Sequence, residues 1–204
     1  MRAGRQLVTL DPYFGIGWNR ILRTAMALDR RAEVEEAVRQ LRAISPDNFI
    51  SKLGLLDYLV AYRRTDEARA ELGEIEARWP KDAVFAQTLL PWALGEPGID
   101  QGRLRAAIAD APPGEAAGYF IARQDIDGLN AYIETLGAIP QQYYFIDLYG
   151  SRPAGHAMLR DPRIKAMIAR FGLPAYWREK GWPTGCRPLG ETDFECGTDA
   201  APAH

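Results

Sequence analysis

Three prolines set the frame for this chain: Pro12, Pro46 and Pro80 follow one another at steps of 34 residues. Two more columns keep that step, Leu22, Leu56 and Leu90, and directly before them Ile21, Leu55 and Leu89. A constant step of this size predicts a tandem array. Each unit is one supersecondary element that cannot bury its own apolar face, so it stacks on its neighbour.

The pattern inside each unit is helical. In the first, Trp18, Ile21, Leu22 and Ala25 share one face, and Val34, Val38 and Leu41 form the stripe of a second helix. In the second, Ile50, Leu53, Leu56, Leu59 and Val60 make a heavily apolar first helix, followed by the stripe Ala68, Leu72 and Ile75. The other face of that following helix carries Glu67, Arg69, Glu71, Glu74 and Arg78. It reads as a solvated surface, with Glu74 and Arg78 as an i,i+4 pair. The prolines punctuate the units, since proline suits a turn or first helical turn and disfavours helix at the residue before it. The third unit is less regular. Pro91 falls inside its first helix, and Gly95, Pro97 and Gly98 interrupt the chain before a helix resumes over Arg103 to Ala109.

Residues 12–113 resemble three tetratricopeptide repeats, each a helix–turn–helix hairpin. Trp18 matches the family tryptophan, Ile21, Leu55 and Leu89 its leucine, Ala68 its tight-packing alanine, and Pro46 and Pro80 its terminal proline. The family's small residue after the leucine is replaced by Leu22, Leu56 and Leu90, which implies a modified seam. The resemblance implies an all-α fold, a right-handed superhelix of helical hairpins with an irregular C-terminal cap. It divides the chain into 1–11, the end of a preceding repeat, the three repeats of 12–113, a degenerate hairpin and capping helices over 114–172, and a tail rich in Pro, Gly and aromatics over 173–204. Leu7 and Leu10 stand 34 residues before Leu41 and Ile44, so the chain is expected to open midway through a unit. This gives the expectation that it is the C-terminal portion of a longer protein, or a truncated gene product.

After Pro113 the period fades. Ala116 to Arg123 and Ile126 to Leu136 predict a short hairpin, Gln142 to Leu148 a further helix, and Asp161 to Phe171 another that starts at Asp161-Pro162. Ala175 to Lys180 adds a turn or two. Tyr176, Trp177, Trp182 and Phe194, set among breakers from Pro174 to Gly190, predict an ordered flap on the preceding helices. The run from Asp161-Pro162-Arg163 through Gly172-Leu173-Pro174, Tyr176-Trp177, Gly181-Trp182-Pro183 and Cys186-Arg187-Pro188 to Asp193-Phe194-Glu195-Cys196 is similar to the C-terminus of bacterial tetratricopeptide proteins. In those proteins the repeats follow a winged-helix DNA-binding domain or an adenylate cyclase domain. The similarity implies a regulatory position within a signalling or transcriptional protein and transfers no catalytic activity.

The residues offer no catalytic constellation. Of two histidines, His204 is the last residue, and His156 stands in no metal-ligand or nucleophile spacing with Cys186 or Cys196. Gly15-Ile16-Gly17 lacks the third glycine of a dinucleotide loop and lies in a helical pattern. Asp125 and Asp127 read as a helix N-terminal cluster. Neither metal nor cofactor is expected. The 25 Lys and Arg against 27 Asp and Glu give a net charge of -2, which carries no global attraction for nucleic acid or anionic lipid. No apolar run is long enough to span a bilayer.

Stacked first helices line a concave groove, the default seat for a protein or peptide partner. By the register of the family it resembles, the lining comprises Ile16, Asn19, Arg23 and Met26 from the first unit. The second supplies Ile50, Leu53, Asp57 and Val60, and the third Val84, Gln87 and Leu94. Asn19 and Arg23 are the expected polar partners, and upstream parts of a parent chain or this chain's own C-terminal helices are competing occupants. A small-molecule effector pocket near Tyr143, Tyr144 and Trp177 is a second reading, and an enzyme of unrecognised type a third. No export signal is visible, which makes the cytoplasm the default, with Cys186 and Cys196 as free or merely structural thiols. A membrane span in a parent chain would place this part in the periplasm, with Cys186 and Cys196 as a disulfide.

Overall fold

The computed structural model describes residues 2–44, 46–111, 115–136, 154–183 and 185–196. These residues are mostly helical. Four hairpins follow a lone first helix, α1 (Arg2–Leu10): α2 (Gly15–Ala27) with α3 (Arg31–Ile44), α4 (Phe49–Ala61) with α5 (Thr65–Arg78), α6 (Val84–Ala93) with α7 (Gln101–Asp110), and α8 (Glu115–Arg123) with α9 (Ile126–Thr135). The anticipated helix over 142–148 lies outside the described residues. Three short helices come next, α10 (Ala154–Met158), α11 (Pro162–Arg170) and α12 (Leu173–Lys180). The chain then forms strands β1 (Cys186–Leu189) and β2 (Asp193–Cys196).

The elbow inside each hairpin is built the same way. One residue takes a left-handed backbone: Asp29 at φ 53°, Arg63 at 53°, Gly95 at 83° and Gln124 at 62°. Around it, Arg30 N–H donates to the Ala25 carbonyl and Asp29 N–H to that of Met26. Arg64 and Arg63 donate likewise to Leu59 and Val60, Glu96 and Gly95 to Pro91 and Trp92, and Asp125 and Gln124 to Phe120 and Ile121. This paired closure satisfies carbonyls that a helix end leaves over. Glycine occupies one elbow of the four; at each of the others the left-handed turn costs about 1 kcal/mol.

The anticipated stripes form the core. Leu22, Ala25, Leu41, Leu56, Ala68, Ile75 and Leu89 are fully buried. Each such leucine or isoleucine contributes about 1.5–3 kcal/mol through burial. Neighbouring units meet through α2 on α4, α3 on α4, α5 on α6 and α6 on α8. Helix α1 approaches α2 closely because two positions lack a side chain. A Cβ on Gly17 would lie 2.8 Å from Val8 Cγ1, and one on Gly4 3.0 Å from Ile21 Cγ1.

Three details depart from the sequence expectation. Glu71 is buried, not solvated: with Glu74 it receives the Lys52 ammonium, at 2.9 and 2.5 Å, between α4 and α5. Burial alone would lower the Lys52 pKa, but the hydrogen bonds to Glu74 and Glu71 outweigh it and hold the group above the ordinary lysine range. Glu74 is thus paired across the hairpin with Lys52, while Arg78 pairs with Asp47 at the unit boundary. The last departure is the antiparallel ribbon β1–β2, where only irregular cap was expected.

That ribbon is tied down three ways. Cys186 faces Cys196 in its register, and a disulfide joins them. Phe194 meets Trp177 at 6.0 Å and Trp182 at 6.1 Å between ring centroids, and the two tryptophans meet at 5.5 Å. Lys165 of α11 reaches Asp193 at 2.7 Å and lies over the Phe194 ring.

Candidate functional site

The expected groove lining separates into two parts. At the N-terminal ends of the first helices, Ile16, Ile50 and Val84 are 40%, 42% and 50% exposed. These three apolar side chains stand one per hairpin at the 34-residue step, each near the start of its first helix, and Gln87 is exposed on α6. Further along the helices, Met26, Leu53 and Val60 are buried in the core, and Leu94 is half-buried.

The charged pair at the centre is covered. Arg23 lies 3.4 Å from Glu115 of α8 and 3.8 Å from Asp57 of α4, and all three side chains keep only about a fifth of their surface. Helix α8 packs on α4 as well as on its neighbour α6. Stacking between adjacent units alone would keep α8 on α6. At the far end of α8 the Arg63 guanidinium donates to the Ala122 carbonyl at 3.0 Å. Between these points Tyr119 is buried. Its phenol is pushed well above the ordinary tyrosine range, first by burial and then by the Asp57 and Glu115 carboxylates, so it stays neutral. Of the occupants weighed for the groove, one of this chain's own helices therefore holds the Arg23–Asp57 part. Arg23 does not face an empty seat for a ligand carboxylate.

Asn19 is also engaged. Its amide rests on Gly54 of α4, where a Cβ would fall 2.2 Å from Asn19 Oδ1, and its Nδ2 donates to the Ile50 carbonyl at 3.4 Å. The missing side chain at position 54 makes room for Asn19, so this amide fixes α2 against α4.

No family model, curated protein or solved structure matches the chain.

Trp177, named for an effector pocket, is buried against Trp182 and Phe194, and Tyr143 and Tyr144 lie outside the described residues. Cys186, in its disulfide, is no thiolate nucleophile. Among the described residues no cluster of three His, Cys, Asp or Glu side chains is placed to hold a metal. Asp125 and Asp161 cap helices, accepting from the backbone N–H of Gly128 and Arg163. Glu115, Tyr119 and Arg63 went unnoticed in the sequence. The period carried no signal for them, because it reports which units are neighbours and not which helix returns across them.

Proposed function

We propose that this chain is a noncatalytic protein-interaction module built of tetratricopeptide-like hairpins. An extended segment of a partner protein lies along the edge of Ile16, Ile50 and Val84. The observation that supports the reading is that row: three apolar side chains left in solvent at the same place in consecutive hairpins, while most of each stripe is buried. Apolar anchors in register with exposed polar groups are what capture of an extended peptide requires. Together with the likeness of the tail, this suggests the C-terminal regulatory part of a larger bacterial signalling or transcriptional regulator. The Cys186–Cys196 disulfide favours an oxidising compartment such as the periplasm over the cytoplasm.

The test is selection of peptides from a random displayed library on the immobilised protein. Wild type should enrich peptides with spaced apolar residues, Ile50→Asp should lose about tenfold or more in affinity for them at unchanged thermal stability, and Arg23→Glu should leave them bound. Equal binding by wild type and Ile50→Asp, or no enrichment at all, removes the reading. Strong thermal stabilisation by a small metabolite would favour an effector-binding domain instead.

A further inference from the structure

The ribbon β1–β2 is joined to α12 through two glycines, Gly181 and Gly185, whose backbones take φ of 100° and 81°, a region open to glycine at little cost. Its strands of four residues each meet at a turn on Gly190. In their register Leu189 faces Asp193 beside that turn, and Cys186 faces Cys196 at the opposite, open end. The disulfide therefore shuts the mouth of the ribbon, closing a loop whose ends are 10 residues apart. Through Phe194, which is buried, the ribbon also lies against the Trp182 ring.

Linkage decides how readily such a bond is broken. A fold favours its disulfide by as much free energy as the disulfide favours the fold. A large core that presses two cysteines together resists reduction strongly. Two four-residue strands, too short to stand alone in water, press them together weakly. We propose that the ribbon is a redox-sensitive clasp: a thiol reductant breaks the Cys186–Cys196 bond, and the freed ribbon swings on Gly181 and Gly185, uncovering the Phe194 and Trp182 rings. The cysteines are 8% and 7% exposed, so attack follows fraying of the open end. A thiolate of the reductant attacks one sulfur, and the other leaves as a thiolate that takes up a proton. A second reductant thiolate then displaces the first sulfur, which is protonated in turn. This chain gains two electrons and two protons, and the reductant is left as a disulfide. In an oxidising compartment the clasp is shut. The device does not rest on the Ile16, Ile50 and Val84 row.

The test equilibrates the whole chain in mixtures of reduced and oxidised glutathione, traps free thiols by alkylation and counts them by mass. Half-reduction should fall within the range of these mixtures. At the same composition tryptophan emission should shift to the red and amide exchange should quicken in β1 and β2, with α4 and α5 unchanged. Cys186→Ala combined with Cys196→Ala should show the open ribbon's exchange in every mixture. A bond that stays oxidised in excess reduced glutathione is a permanent staple and overturns the proposal. So does full reduction that leaves emission and ribbon exchange where they were, because the ribbon then stands without the bond. A response to glutathione that persists in the double variant overturns it as well.

Discussion

The hairpins α2 to α5 and the ribbon of β1 and β2 reach order by opposite routes. The hairpins bury long aliphatic stripes, with Leu22, Leu41, Leu56 and Ile75 inaccessible to solvent, and each unit leans on the next. The ribbon has two four-residue strands, too short to stand alone in water. It substitutes a covalent bond, three aromatic rings and one lysine that touches both Asp193 and Phe194. The contrast shows how a small cap can be ordered without a core of its own, and why its order depends on a few groups while that of the hairpins is spread over many.

The largest expected effect is on the hairpin side. Leu56→Ala opens a cavity at a site with no solvent access and should cost about 2–5 kcal/mol in urea unfolding. A midpoint that barely moves would mean that the hairpins are not one cooperative unit. Cys186→Ala with Cys196→Ala releases a closed loop whose ends are 10 residues apart, an effect of about 2–3 kcal/mol confined to the ribbon. Hydrogen exchange should speed up in β1 and β2 and stay unchanged in α4 and α5; faster exchange throughout would erase the distinction between the two regions. The smallest effect comes from pH. The Lys165 hydrogen bond and the Phe194 N–H hold the Asp193 carboxyl below the ordinary aspartate range, against a lesser push upward from desolvation. A depressed carboxylate stabilises fully above its unfolded pKa of about 3.9, and that contribution is lost as pH falls through the lower folded value. Ribbon amides should therefore lose protection below about pH 4, and Lys165→Met should flatten that dependence.

The same contrast explains what the sequence disclosed. Local rules were legible: proline boundaries, the 3.6-residue stripes, the caps at Asp125 and Asp161, and the aromatic cap around Trp177 and Phe194. Each is set by residues close in sequence. The burial of Lys52 between Glu71 and Glu74 was not legible. A helical face near a boundary can be read as solvated or buried until its neighbour is known. Nor was the return of α8 to Arg23 and Asp57, which joins positions 92 residues apart through one carboxylate. The ribbon escaped because four residues with a proline at position 188 carry no usable alternation. For the candidate site, the row Ile16, Ile50 and Val84 was named through the register of the resembled family, whereas its separation from the covered half required the third dimension.

The fit of Asn19 over Gly54 has a bearing on how such an array could be rearranged. One unit later the corresponding positions are Leu53 and Thr88, so this seam is used once and cannot be copied to the next. The first two hairpins share a length and a pattern of stripes, yet they are not exchangeable modules: swapping or deleting one would set a bulky residue against a place shaped for nothing. Their order along the chain is written in individual missing atoms, and recombination within the array is closed off at that joint.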